Sequence, residues 1–122
     1  MAYRNVSVWL EDALLSIERI KHHTKDITSV SEFVSNTLVT DATERNLEVI
    51  AEAVKNAIHL EPQLPISNYR KIINLRNIIS HQYYTVEHTR VWMILKEDIP
   101  VLEKEVRAIL EDYERRLALN EL

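Results

Sequence analysis

Tyr69-Arg70-Lys71-Ile72-Ile73-Asn74-Leu75-Arg76-Asn77-Ile78-Ile79-Ser80-His81-Gln82-Tyr83-Tyr84 is the stretch whose reading decides the fold. On an α-helix each residue advances about 100°. With Arg76 at zero, Ile78, Leu75, Ile79, Ile72 and Tyr83 fall within an arc of roughly 200–340°. Tyr69, Ser80, Ile73, Tyr84, Asn77, Arg70, His81 and Asn74 fill roughly 20–160°. The first arc is a core stripe broken only by Lys71, and it predicts one helix from about Ser67 to about Gln82. The second arc gathers guanidinium, amide, imidazole and phenol groups that can bind something or move a proton.

Two spacings on that polar side bear on chemistry. Asn77 and His81 are four apart, so on a helix the amide can orient the imidazole. Arg76 and His81 are five apart, about 140° round the helix, too far for direct contact. Such a divergent pair converges on one ligand lying along the face, or on a ligand shared with a symmetry-related copy of the helix.

The rest of the chain supports a helical reading. Among 122 residues there is no glycine and only three prolines, which argues against hairpin-rich sheet folds that need positive φ at many corners. With 46% hydrophobic and 28% charged residues the chain is globular, and its length predicts a single domain over 1–122. No cysteine is present, which removes disulfide and thiolate chemistry. No apolar run approaches a membrane span and the N-terminus has no signal pattern, so a cytoplasmic protein without membrane contact is expected. The net charge of −4 leaves no global basic footprint, so contact with nucleic acid must be local.

Leu10, Ala13, Leu14, Ile17 and Ile20 predict a first helix from Ser7, its expected cap, to about His23. His22 and His23 then sit at its negative end, where cations are favoured. A short amphipathic piece runs from Ser31 through Leu38, and Asp41 leads into a longer helix with Leu47, Ile50, Ala51, Val54 and Ile58 on one face. Ala51, Ala53 and Ala57 invite close approach of another helix, and Arg45, Glu48 and Glu52 supply charges, with Glu48 or Glu52 the expected partner for Arg76. This helix must end before Pro62. A final stretch from Val86 or Glu87 to Leu119 contains Pro100, which is expected to kink or restart it with Asp98 as cap. Trp92 is expected at a helix or subunit contact. The architecture expected is an all-α bundle of four to five helices, paired as a homodimer.

Several chemistries drop out. There is no Glu-x-x-His, no His-Glu-x-x-His, no pair of histidines four apart and no cysteine, so metal centres lose their usual ligand sets. Without glycine there is neither a phosphate-cradling loop nor a dinucleotide fingerprint. What remains is acid and base chemistry at a histidine, with an arginine for an anion, and no cofactor. Those tools suit cleavage of RNA, whose own 2′-hydroxyl is the nucleophile. An imidazole takes its proton, a protonated imidazole gives one to the departing 5′-oxygen, and arginine neutralises the phosphate.

Arg76-Asn77-Ile78-Ile79-Ser80-His81-Gln82-Tyr83 resembles the Arg, four residues, His, one residue, Tyr signature of the HEPN superfamily, and specifically its HepT-like toxins. Arg45-Asn46-Leu47-Glu48-Val49-Ile50-Ala51-Glu52-Ala53 resembles the family's long helix, with Ala51 where glycine is common. Val91-Trp92-Met93-Ile94 and Asp98-Ile99-Pro100 resemble the segment after the signature, so the likeness runs from about Phe33 to Leu110. It implies an all-helical HEPN homodimer with a composite, metal-independent ribonuclease site acting on tRNA or mRNA. It implies the toxin of a type VII-like toxin–antitoxin pair, whose partner is a nucleotidyltransferase-fold, MntA-like antitoxin. Carried over to this chain, Arg76 and His81 are catalytic, Asn77 supports them, and Tyr83 accepts AMP from the antitoxin. A non-catalytic helical adaptor of a nucleotidyltransferase is the other reading of the same pattern.

Overall fold

A computed structural model describes residues 2–79 and 84–121, with side chains from 6 to 79 and from 88 to 121. Six helical segments follow one another: α1 (Ala2–Thr24), α2 (Val30–Ser35), α3 (Thr37–Leu60), α4 (Tyr69–Ile73), α5 (Leu75–Ile79) and α6 (Tyr84–Ala118). With α4 and α5 taken as one interrupted helix, this is the five-helix all-α bundle expected; the described residues contain no strand. α1 and α3 lie along each other, and α6 and the short segments close the bundle against them.

One hydrophobic cluster joins every segment. Val6, Leu10, Ile17 and Ile20 of α1 meet Phe33 of α2, Leu47, Ile50, Val54 and Ala57 of α3, and Ile72, Leu75 and Ile78 of the short segments. α6 adds Val91, Ile94, Leu95, Ile99, Leu102, Val106 and Ile109. Ala51, Ala53 and Ala57 are fully or almost fully buried, as their small size along α3 allows. Trp92 is half-buried: its ring packs against Phe33 at 5.2 Å, and the Lys96 ammonium lies 4.5 Å from its centre.

Several expectations need correction. α1 begins at Ala2, and Ser7 is a half-buried residue inside it. The α2–α3 boundary falls at Asn36, so Leu38 and Asp41 belong to the first turns of α3. Side-chain caps set both starts: Ser29 Oγ, before α2, accepts from the Glu32 N–H at 3.1 Å, and Asn36 Oδ1, at the boundary, accepts from the Val39 N–H at 3.1 Å. The helix expected over 67–82 is broken at Asn74, whose N–H bonds back to the Arg70 carbonyl while its own carbonyl takes the Asn77 N–H. The break shifts the phase of the wheel, so Tyr69 and Ile73, placed on the polar arc by a continuous helix, pack against the core.

α6 starts at Tyr84 and runs through Pro100 without restarting. Proline removes one backbone bond and costs about 3 kcal/mol inside a helix. Val91, Ile94, Ile99, Leu102 and Val106 flank it on both sides and are buried, each contributing about 1.5–3 kcal/mol. Burial therefore outweighs the local penalty. Asp98 is no cap: its carboxylate lies 3.1 Å from Lys71 Nζ, and its carbonyl accepts from Asn68 Nδ2 at 3.1 Å, tying the start of α4 to α6.

A charged cluster ties α1 to α6. Glu103 receives Lys21 at 3.2 Å and Arg107 at 2.9 Å, and Arg107 also reaches Glu18 at 2.6 Å. Burial pushes the Glu103 carboxyl up, but hydrogen bonds from Arg107 and Lys21 and their charges outweigh it and hold it below the usual range. A depressed carboxylate stabilises the fold above about pH 4.5, and that contribution is lost as pH falls through the lower folded value. Glu103→Gln should thus cost about 1 kcal/mol at neutral pH, or roughly 3–5 °C in Tm. It should also flatten the acid limb of the stability curve below pH 4.5; an unchanged acid limb in thermal melts would remove this account.

Candidate functional site

The break at Asn74 sets the site. Ile72, Leu75 and Ile78 are buried at three-residue steps across it, which anchors α5 by one side and turns Arg76 and Asn77 outward. Both are exposed, on neighbouring positions about 100° apart. They therefore look in two directions.

Arg76 leans toward α3. Its Nη1 lies 3.4 Å from Glu52 Oε2, with 61% and 46% of the two side chains exposed, and Glu52 Oε1 accepts from Asn56 Nδ2 at 3.3 Å. Of the two α3 carboxylates named as candidate partners, Glu48 and Glu52, it is Glu52 that the fold brings within reach. An exposed pair of this kind contributes about 0–1 kcal/mol. The pair keeps the guanidinium at the surface, where a phosphate can offer it two charge-assisted hydrogen bonds.

Asn77 faces α6. With Lys71, Asn74 and Ile78 it forms one wall of a groove of about 550 Å³, whose other wall is Arg90, Met93, Ile94, Glu97 and Asp98. The groove mixes amides, both signs of charge and an apolar floor. Lys71, which interrupts the apolar stripe in the sequence, has its reason here: its ammonium crosses to Asp98.

His81 and Tyr83 lie outside the described residues, as do Ser80 and Gln82. Their two flanks are both attached to α3. On one side Arg76 meets Glu52; on the other His88 Nε2, in the second turn of α6, lies 3.2 Å from Glu44 Oε1. Glu44 and Glu52 are eight residues apart on one face of α3, about 12 Å along its axis, with Glu48 between them. The His88–Glu44 pair is about three-quarters buried. Burial, with the charges of Asp41 and Glu48, raises the Glu44 carboxyl, while the nearby imidazole acts the other way. Sequence reading passed over His88, because nothing in its local spacing shows a partner 44 residues away.

The described residues bring no three His, Asp or Glu side chains together as ligands for a metal ion. Nor do they contain a helix long and apolar enough to cross a membrane. No solved structure matches the chain. Three relatives illustrate what it is similar to. One, from Methanocaldococcus jannaschii and named as a candidate RNase, is 34% identical over 110 residues, which is 89% of this chain and all of the relative. A second from the same organism, also named as a candidate RNase, is 32% identical over 95% of this chain and all of its own length. A third, from Thermococcus cleftensis and named a probable ribonuclease HepT, is 33% identical over 78% of this chain and 86% of the relative. The family model described as Ribonuclease HepT-like matches residues 13–109, spanning α3, the broken helix with Arg76 and Asn77, and most of α6. By that match and these relatives, the chain belongs to the HepT-like ribonuclease family.

Proposed function

We propose that this protein is a metal-independent endoribonuclease, the toxin of a toxin–antitoxin pair, acting in the cytoplasm as a homodimer of one HepT-like domain over residues 1–122. The observation that carries the reading is the exposure of Arg76 and Asn77 on α5, at the head of an Arg-x4-His-x-Tyr signature, in a chain of this family. Arg76, aimed by a weak pair with Glu52, binds the scissile phosphate and neutralises the charge that builds on its oxygens. One His81 imidazole takes the proton of the 2′-hydroxyl. The 2′-oxygen attacks phosphorus, the P–O5′ bond breaks, and a protonated His81 delivers a proton to the departing oxygen. One imidazole cannot hold both protonation states at once. Two protomers presenting their signatures to one cleft supply both, and Asn77 orients each imidazole.

The partner is a nucleotidyltransferase-fold antitoxin. It silences the nuclease when the Tyr83 phenol oxygen attacks the α-phosphorus of ATP, forming an AMP–tyrosine phosphodiester and releasing pyrophosphate, with the phenol proton passing to solvent. A cleavage assay with purified protein and tRNA or mRNA in excess chelator tests the nuclease. Cutting that persists in chelator and leaves 2′,3′-cyclic phosphate ends is the expected result. Tight antitoxin binding with no cleavage by the free protein would favour the adaptor reading.

A further inference from the structure

The groove beside the signature has a pattern of its own. Arg90, Met93 and Glu97 all line it and are all exposed, Met93 to 50%. Arg90 and Glu97 are seven residues apart, which on α6 places them about 20° from one another and about 10 Å apart along the axis, with Met93 between them. They are a cation and an anion on one stripe, too far apart to meet within the chain. Val101, 42% exposed, continues the same stripe beyond Glu97. Inside the groove Lys71 and Asp98 already stand 3.1 Å apart.

This arrangement is self-complementary. When a copy of α6 runs antiparallel across it, with the two-fold axis passing beside Met93, each Arg90 faces the partner's Glu97, and the two thioethers pack on one another. An isologous contact needs each surface to carry both halves of every pair, and this stripe does. A single RNA strand fits it less well, because its phosphates would meet Glu97 and Asp98 together with Arg90 and Lys71. The guanidinium carries five N–H donors, so a contact within its own chain is compatible with a bond across the seam.

We propose that the stripe Arg90, Met93, Glu97 on α6 is the seam of the homodimer, its occupant a second copy of this chain. The inference rests on the proposed function for the dimer itself and adds where it forms. Because Asn77 stands on the opposite wall of the same groove, the partner's α6 comes to rest against α5 at Asn77, the residue after Arg76. Asn77 of each protomer then borders the seam, as a composite site requires.

A charge swap tests this on the full-length protein, with dimerisation followed by sedimentation equilibrium and folding by circular dichroism. Arg90→Glu and Glu97→Arg should each weaken the dimer by about tenfold or more, since each sets like charges opposite one another twice. The double variant Arg90→Glu/Glu97→Arg should return to within a few-fold of the parent. Met93→Asp, also at an exposed position, should weaken the dimer without lowering helicity. Single variants that dimerise like the parent, or a double variant no better than either single, would overturn the seam; so would single variants that lose RNA binding while dimerising normally, which would give the groove to RNA. The two readings fail separately. A dimer indifferent to the swap removes the seam and leaves the nuclease standing, whereas a dimer that obeys the swap but cuts no RNA keeps the seam and removes the nuclease.

Discussion

Arg76→Ala and His81→Ala should each reduce RNA cleavage by at least 100-fold and remove growth inhibition, while the helical content and Tm stay close to those of the parent. The two losses have different physical sources. A proton-transferring side chain in a transition state is worth about 10²–10⁴-fold, and loss of a donor placed where charge develops costs about 10²–10³-fold. Stability is spared at Arg76 because its side chain is 61% exposed and its pair with Glu52 contributes about 0–1 kcal/mol. Arg76→Lys is the sharper control. Lysine keeps the charge but has no planar fork to hold two phosphate oxygens, so it should recover binding more than turnover. Cleavage by Arg76→Ala at the parental rate, measured with the purified protein, would end the assignment of the phosphate site.

How much of this was legible beforehand depends on the range of the forces involved. The three-residue spacing of Ile72, Leu75 and Ile78 reported a buried side correctly, because burial acts on every turn and leaves its period in the sequence. The exposure of Arg76 and Asn77 followed from the same pattern. The break at Asn74 did not, since asparagine is tolerated within helices and only the three-residue bond from the Asn77 N–H to the Asn74 carbonyl, tighter than the α-helical step, reveals the turn. Pro100 left a kink and a restart both open, because its local penalty is visible in the sequence; that one helix carries through it became clear only from the packed bundle, which buries Ile99 and Leu102 beside it. Pairs such as Glu44 with His88 and Lys71 with Asp98 were out of reach, because each joins segments that only the packed bundle brings together. Glu48 and Glu52 were both legible as carboxylates able to pair with Arg76, but choosing between the two required the fold.

Tyr83→Phe should yield a nuclease that cleaves RNA at close to the parental rate yet can no longer be covalently silenced by the proposed nucleotidyltransferase partner. The substitution removes one oxygen atom, the nucleophile that the proposed AMP transfer requires, and leaves the ring and its packing volume in place. The proposed cleavage draws its proton transfers from His81 and its charge neutralisation from Arg76, so it does not call on the phenol. The two activities should therefore separate at this position: incubated with the antitoxin and ATP, the parent gains the mass of one or more AMP units on Tyr83 and loses activity, whereas the variant gains none and stays active. Tyr84 serves as the internal control, because it offers the same chemistry one residue further along the chain. An adduct on Tyr84, or silencing of Tyr83→Phe that still depends on ATP, would move the acceptor elsewhere. Silencing of the variant by the antitoxin without ATP would instead assign control to non-covalent binding, which occupies the site in proportion to antitoxin concentration, where a phosphodiester on Tyr83 outlasts the enzyme that made it.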